Sequence, residues 1–222
     1  MFDFQCTSAP VATAVSTIIS LSQSSIADSG TFNIVVPGGT TPLPIFQALA
    51  PLDLDWPRWR VYFSDERCLP RDHPDRNDKA AIDIWLRHVP IGYIFSLPAE
   101  HGPVEGADQA HHMLSRDQPI FDLVLLGVGA DGHVASLFPG RPYGSQSDSP
   151  FALAITNAPK PPPERVSLSA RCLSATRHMV LIITGREKLF ILDDLRGNKD
   201  CPANSITARE SATVIYPAPT VI

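Results

Sequence analysis

Cysteine is scarce in this sequence, and the spacing of the few that occur excludes several kinds of site. The 222 residues include four cysteines, and no two of them form a Cys-x-x-Cys pair. A zinc knuckle and a dithiol redox motif are therefore not indicated. Scattered thiols are typical of a reducing compartment, so we expect a cytoplasmic protein. The cysteines are Cys6, Cys68, Cys172 and Cys201.

The sequence also lacks long apolar runs and an excess of basic residues. No apolar stretch approaches the roughly 20 residues of a membrane span, and the first residues, MFDFQCTSAP, lack the basic region of a signal peptide. The formal net charge is −5, whereas nucleic-acid-binding proteins usually present a basic face. We therefore expect neither a membrane nor a nucleic-acid partner. A small anionic substrate is compatible with this charge, because a few local cations outweigh a mild field.

What the sequence does contain is a series of apolar strands that alternate with helices. Hydrophobic residues make up 44% of the chain and charged residues 18%, enough for a sizeable core. Continuous Val/Ile/Leu strands are usually covered on both faces. We therefore predict one α/β domain over residues 1–222, with a mostly parallel, Rossmann-like sheet and helices on both faces. Strand candidates are TFNIVV, WRVYFSDE, FDLVLLG, FALAIT, RVSLS and HMVLIIT; helix candidates are Pro10–Ala27, TTPLPIFQALA, Arg76–Val89, GADQAHHMLSR and GREKLFILDDL.

Three polar loops follow strands of this predicted sheet. They begin near Gly38, Asp65 and Gly127. Ligands of open α/β sheets bind at the carboxyl ends of the strands. The sequence therefore predicts a site where these three loops meet.

The loop VGADGH, after the FDLVLLG strand, matches the dinucleotide pattern G-x-G-x-x-G at Gly127, Gly129 and Gly132. We reject a dinucleotide site, because half the chain precedes the loop, Pro139 and Gly140 soon follow it, and no strand ending in an acid lies about 20 residues on. A catalytic loop fits better. His133, predicted where the strand gives way to a short helix, is a candidate general base.

Asp131 has three roles open to it from sequence alone. Its carboxylate can hold the His133 imidazole, contact a sugar hydroxyl, or cap the turn that follows. Taken alone, the residue favours the cap.

The loop PGGTTP has the composition of a phosphate site. The glycines let backbone N–H groups approach a ligand, and the threonine hydroxyls of Thr40 and Thr41 add donors beside a helix start. We predict Thr41 as the helix N-cap and Pro42 as the first helical residue. No Gly-Lys-Ser/Thr follows, so this is not a Walker A loop. An ordinary βα turn with a threonine cap is the alternative.

Whether charged residues elsewhere in the chain belong to the site depends on where the fold places them. SDERCLPRDHPDRN is either a solvated loop or part of the site, where Arg67 offers a fork of donors to a carboxylate or phosphate. Arg165 and Lys188 matter if the fold brings them to the Gly38 loop. We expect Trp56, Trp59 and Trp85 to fill core or rim positions.

Taken together and in order, PGGTTP, FSDERCLPRDHPDRN, LLGVGADGHVASLFPG, APKPPPERVSLS and GREK resemble the 6-phosphogluconolactonase family. The glucosamine-6-phosphate deaminases share its fold and first loop. The resemblance implies a fold of the deaminase/phosphogluconolactonase type and hydrolysis of 6-phosphoglucono-1,5-lactone to 6-phosphogluconate, in the oxidative pentose phosphate pathway. It implies no metal and no cofactor.

The resemblance also implies roles for individual residues. His133 would be the base that activates water, with Arg67, or the backbone from Gly129 to Gly132, facing the developing charge on the carbonyl oxygen. Residues assigned to the phosphate are Gly38, Gly39, Thr40, Thr41, Arg165 and Lys188, and those assigned to the sugar end are Asp65, Arg67, Asn77 and Asp131.

One residue separates the two branches of this family. Deaminases have a glutamate where this chain has Phe138, which cannot move a proton, so we favour the lactonase. A deaminase-isomerase and a non-catalytic sugar-phosphate sensor are the alternatives. Arg76 stands where the family usually has serine, and we expect it near the mouth of the site or in solvent. The tail after Gly197 has little pattern apart from ATVIY.

Overall fold

The computed structural model describes residues 2–185, 188–197 and 201–218. The strands are β1 (Asp3–Thr7), β2 (Phe32–Val36), β3 (Trp59–Phe63), β4 (Asp65–Arg67), β5 (Tyr93–Phe95), β6 (Phe121–Gly127), β7 (Ala152–Ile155), β8 (Arg165–Leu168), β9 (Thr176–Ile182) and β10 (Ala208–Pro217). The helices are α1 (Pro10–Ser29), α2 (Leu43–Leu49), α3 (Asn77–Ile84), α4 (Pro103–Asp117), α5 (Ala170–Leu173) and α6 (Ile191–Arg196). Short 3-10 turns add to these.

Seven strands form one sheet in the order β1-β10-β9-β6-β2-β3-β5. Every pairing in it is parallel, which confirms the predicted sheet. Neighbouring residues of the central strands face opposite sides: Leu123 packs in one core and Val124 in the other. We call them the α1 core, which includes Ala14 and Ile18, and the α4 core, which includes Ala110. Helices thus cover both faces. The assignment of residues 1–222 to one domain stays a prediction.

The two ends of the described chain meet at one edge of this sheet. β1, which the sequence analysis did not identify, pairs in parallel with β10, and Phe4 lies opposite Val214. β10 runs for ten residues and pairs with β9 on its other side, so ATVIY is part of an interior strand. The weakly patterned residues of β10 are therefore held as a strand by neighbours on both sides.

A second, smaller sheet was not predicted. β4, β8 and β7 form an antiparallel sheet in that order, with Asp65 opposite Ser167 and Arg67 opposite Arg165. WRVYFSDE is therefore two strands, β3 in the large sheet and β4 in the small one. The FALAIT and RVSLS strands are confirmed. The pairing of β8 with β4 brings Arg165 close to Arg67.

Helix α2 begins later than predicted. Its first residue is Leu43, Pro42 precedes it, and no side chain caps it. The prediction that Thr41 caps the helix is therefore wrong, and its side chain instead lies beside Gly127. α3 ends at Ile84, followed by a 3-10 turn from Leu86.

The predicted helix over GREKLFILDDL is described only in part. α6 covers Ile191–Arg196, while residues 186 and 187 lie outside the described residues. Among the described helices, none combines the length and apolarity needed to cross a membrane.

The three tryptophans form one buried cluster in the α1 core. All three rings contact one another: the Trp59 centroid lies 4.7 Å from that of Trp56 and 6.0 Å from that of Trp85, and the last two are 5.9 Å apart. Phe32 and Phe46 complete the cluster. The expectation of core positions is confirmed.

Candidate active site

A cavity of about 430 Å³ lies beyond the carboxyl ends of the parallel strands. The three loops that follow β2, β3 and β6 all contribute to its wall, as the sequence predicted. The small sheet and the segment after β9 add further cations. The wall consists of Pro37, Gly38, Gly39, Thr40, Thr41, Asp65, Arg67, Asn77, Gly127, Val128, Gly129, Ala130, His133, Ala135, Lys160, Arg165 and Lys188.

His133 is mostly buried in this wall and is held by Asp131. Its Nδ1 lies 2.5 Å from Asp131 Oδ1. Turns, rather than the predicted short helix, follow the histidine. No helix follows for Asp131 to cap, and its carboxylate is engaged with His133, which favours the orienting role over the turn cap. The carboxylate orients the imidazole, which leaves Nε2 as the ring nitrogen available to a ligand.

The backbone of this loop closes around the imidazole. The Gly132 N–H donates to the Gly129 carbonyl at 3.0 Å, and the Gly129 N–H donates to the His133 carbonyl at 2.9 Å. A Cβ on Gly129 would lie 2.1 Å from the Nδ1 and Cε1 atoms of His133. Gly132 has φ +85°, a conformation that L side chains rarely adopt. Gly132 and Asp131 lie behind the cavity wall and shape it from there.

Burial determines the charge of the histidine. It lowers the pKa of His133 below its ordinary value and outweighs the opposing effect of the Asp131 carboxylate. Burial alone would raise the pKa of Asp131, but the hydrogen bond from His133 and the nearby Lys160 ammonium hold it below its ordinary value. At neutral pH the pair is therefore a neutral imidazole beside a carboxylate.

Lys160 is a site residue that the sequence analysis did not assign. Its Nζ lies 3.0 Å from Asp131 Oδ1, and the side chain lines the cavity. Its place in the APKPPP segment was the available signal, but the antiparallel pairing of β7 with β8 is what brings it to the histidine loop.

Asp65 and Arg165 lie buried side by side, with Ser136 between them. Ser136 Oγ donates to Asp65 Oδ2 at 2.6 Å and lies 3.4 Å from Arg165 Nη1. The same arginine lies 4.0 Å from the Asp65 carboxylate. Ser136, inside an otherwise apolar stretch, was not predicted. It joins the histidine loop to the small sheet.

Arg165, predicted to bind phosphate, directs most of its donors to the chain. Its Nε donates to the Pro162 carbonyl at 3.1 Å, and its Nη2 donates to the carbonyls of Lys160 and Pro161 at 3.0 and 3.3 Å. Burial lowers its pKa against the effect of Asp65, but a guanidinium stays charged. Arg165 thus lines the cavity and fixes the loop that carries Lys160.

Glu66 organises the backbone between Arg67 and α3. Its Oε1 accepts the N–H groups of Arg67 and Asn77 at 2.8 and 2.7 Å, and its Oε2 accepts that of Asp78 at 2.9 Å. Asn77 Nδ2 in turn donates to the Asp65 carbonyl at 2.8 Å. Gly38 packs so closely on this amide that a Cβ there would lie 2.0 Å from it. The Gly38 loop and the charged loop are therefore in direct contact.

Arg76 contradicts the expectation of a solvent-facing or mouth residue. Its guanidinium is fully buried and donates to both oxygens of Asp78 at 2.9 Å. Further donors reach Glu100 and the carbonyls of Leu69 and Leu97, each at 3.1 Å. All five N–H groups therefore have acceptors. The end of the charged loop is therefore buried, because Arg76 meets Glu66, Asp78 and Glu100, whereas its middle, with Arg71 and Asp72, is exposed.

Family comparison agrees with this geometry. The chain belongs to the family described as glucosamine-6-phosphate isomerases/6-phosphogluconolactonase, whose model matches residues 7–215. This confirms the resemblance seen in the sequence. The family description covers two kinds of enzyme, which the match itself does not separate.

Individual relatives are lactonases by name. The chain is 34% identical over 186 residues to "Probable 6-phosphogluconolactonase 4, chloroplastic" of Oryza sativa subsp. indica, covering 76% of this chain and 57% of that protein. It is 33% identical over 201 residues to "Probable 6-phosphogluconolactonase 1" of Arabidopsis thaliana, covering 80% and 74%. The chain thus spans little more than half the length of the rice relative.

Solved structures share the whole fold. A 6-phosphogluconolactonase from Thermotoga maritima superposes with a TM-score of 0.88 at 23% identity, covering 98% of this chain and 99% of that one. One from Shewanella baltica gives 0.82 at 26% identity, covering 98% of each. The predicted fold class is confirmed.

Proposed function

We propose that this chain hydrolyses 6-phosphoglucono-1,5-lactone to 6-phosphogluconate, in the oxidative pentose phosphate pathway. The observation that carries the proposal is the His133–Asp131 pair in the wall of a cavity that also contains the Gly38–Thr41 loop and Lys188. A base at one part of the cavity and phosphate donors at another suit a substrate with a reactive ring and a remote phosphate. The names of the relatives support the same substrate.

His133 acts as the general base in this proposal. With Nδ1 donating to Asp131, Nε2 takes a proton from water as the water oxygen attacks the lactone carbonyl carbon. Asp131 stabilises the imidazolium that forms. When the tetrahedral intermediate collapses, the bond from that carbon to the ring oxygen breaks, and the imidazolium returns its proton to the leaving oxygen. The product is the open-chain acid, which ionises in water.

Arg67 is the better candidate to face the oxyanion. The N–H groups of Gly129 and Gly132 already donate within the loop. Arg67 lines the cavity, and its Nε has no hydrogen-bond partner among the described residues, whereas its Nη1 is held by the Asp75 carbonyl. A guanidinium that is fixed in the cavity wall suits a developing negative charge.

The phosphate is assigned to the Gly38–Thr41 loop and Lys188. Gly39 has φ +80° with open space around its α-carbon, so the backbone there can approach a ligand closely. Thr40, Thr41 and Lys188 line the same cavity. Arg165 adds positive charge from within the wall. Anchoring a remote phosphate orients the ring for attack.

Phe138 argues against the deaminase alternative. Its ring is buried, with its centroid 4.8 Å from that of His133. No proton relay passes through a phenyl ring, and a lactone needs none to open. The sensor alternative is less favoured, because a binding protein has no need of an oriented neutral base.

The test is a coupled assay in which the lactone is generated in situ and its disappearance is followed. We expect His133→Ala to lose about 10²–10⁴-fold of the acceleration, the usual contribution of a general base. His112→Ala, on the exposed face of α4, is the matched control and should keep full activity. Undiminished turnover by His133→Ala would exclude the mechanism.

The same assay separates the alternatives. Release of ammonia from glucosamine-6-phosphate would establish a deaminase. Binding of 6-phosphogluconate without lactone turnover by the wild-type chain would establish a sensor.

We also propose a cytoplasmic location, because the four cysteines are scattered along the sequence without a Cys-x-x-Cys pair, a pattern typical of a reducing compartment. Some relatives are named as chloroplastic. Fractionation of cells that express the native gene tests the proposal, and enrichment of the protein in an organelle would contradict it.

A further inference from the structure

Asp131 receives two donors on a single oxygen. His133 Nδ1 lies 2.5 Å from Oδ1, and Lys160 Nζ lies 3.0 Å from the same atom. We propose that Lys160 is a positioning residue whose ammonium, held against Asp131, keeps the His133 imidazole neutral and its orientation fixed. The consequence for catalysis rests on the proposed function, whereas the coupling between Lys160 and His133 does not.

Hydrogen bonds from Arg165 restrain the backbone of the loop that carries Lys160. The three carbonyls from Lys160 to Pro162 accept hydrogen bonds from Arg165, which is itself buried beside Asp65. The Ala158 N–H donates to the Pro163 carbonyl at 2.9 Å and closes the loop. The lysine stem therefore starts from a restrained backbone, so its contact with Asp131 does not depend on a flexible loop.

The direction of the effect follows from charge. The Asp131 carboxylate favours an imidazolium at His133, and the Lys160 cation opposes it, both directly and by sharing that carboxylate. Without Lys160, burial would still oppose the effect of Asp131 on the imidazole, but no neighbouring cation would share that carboxylate. The other charged groups in the surrounding wall are Asp65 and Arg67 on β4, Arg165 on β8 and Lys188 after β9. Asp65 is hydrogen-bonded to Ser136 and lies near Arg165, and neither contact involves the Lys160 side chain.

The experiment is an NMR titration of the His133 ring in the intact protein, assigned by the signal missing from His133→Asn. In Lys160→Met we expect the titration midpoint of His133 to move to higher pH by about half a unit or more. Lys160→Arg keeps the charge and should keep the wild-type midpoint. Lys79→Met, on α3 and paired with Asp83, controls for the loss of a lysine elsewhere.

Activity gives a second, separate readout. In Lys160→Met the acid limb of kcat/KM should move in the same direction and by the same amount, and Lys160→Arg should restore it. An unchanged NMR midpoint of His133 in Lys160→Met would overturn the proposal. So would a raised KM with the NMR midpoint and the acid limb of kcat/KM both unchanged, and that result would make Lys160 a substrate contact. A shifted NMR midpoint in a chain that does not hydrolyse the lactone would refute the proposed function and leave this inference standing.

Discussion

At the scale of single residues, the active-site loop depends on the absence of one side chain. The His133 ring occupies the space where a Cβ of residue 129 would stand. Asp131 Oδ1 lies only 2.7 Å from that position as well. Gly129 is therefore required for the imidazole and carboxylate to pair as they do.

Gly129→Ala should displace the imidazole and lower activity by about 10²-fold, since misplacing a catalytic group by roughly 1 Å has effects of this size. The lactone assay measures the loss. Gly102→Ala is the control: its position has φ +85°, ψ 174° and open space, so it should lose about 1–3 kcal/mol of stability and keep its activity. Wild-type turnover by Gly129→Ala would contradict the packing argument.

Many of these site residues could be predicted from the sequence, but the contacts between them could not. His133, Asp65, Arg67 and the Gly38 loop could be placed because each follows a predicted strand. Lys160 and Ser136 could not, since their value comes from contacts between segments about 30 residues apart. The choice between capping and orienting roles for Asp131 depended on the turn after it, which composition does not specify.

At the scale of elements, a buried charge network joins the site to its support. Arg76 connects the end of the charged loop to α3 and to the segment around Glu100, while Glu66 holds the backbone of Arg67 and Asn77. A buried guanidinium is tolerated only with full compensation, and removing it leaves the buried carboxylates of Asp78 and Glu66 without their cationic partner.

Arg76→Ala should therefore lower the free energy of unfolding by about 3–5 kcal/mol, measured by urea denaturation. Arg71→Ala is the matched control, because Arg71 pairs with the same Glu100 from an exposed position. It should cost about 0–1 kcal/mol. Equal losses in the two variants would show that burial does not govern this network.

Local patterns predicted most elements and missed those that depend on partners. The buried runs of β2, β6 and β9 and the helix α1 were evident from hydrophobic periodicity. β1 was not, since its exposed edge position requires little apolar character. The small sheet was missed because antiparallel pairing of β4 with β8 joins residues about 100 apart in the chain.

At the scale of the whole molecule, the parallel sheet was predictable because continuous apolar strands require cover on both faces. The expectation that Arg76 lies near the mouth of the site or in solvent was wrong, because its burial depends on contacts that local sequence does not show. Its surroundings are set by three segments that meet only in the folded chain.

Acid should destabilise the fold through His133. The pKa of His133 is lowered in the folded state, so between that value and the ordinary 6.5 the unfolded chain binds a proton that the folded chain does not. The free energy of unfolding therefore falls as pH drops through this window. The pKa of Asp131, shifted downward from 3.8, affects the free energy of unfolding only at lower pH.

His133→Gln should lose less stability than wild type between about pH 7 and about pH 5.5, measured by circular dichroism in urea. Identical pH dependence would refute the assignment.

All three indoles of the chain sit in the α1 core, whereas Val128, Val134 and Leu137 of the histidine loop pack into the α4 core. Intrinsic fluorescence therefore reports on one side of the sheet and is insensitive to the side that supports catalysis. A denaturation curve followed by emission and another followed by ellipticity would coincide only if both sides melt together. Emission that persists after activity is gone would reveal that the catalytic side opens first.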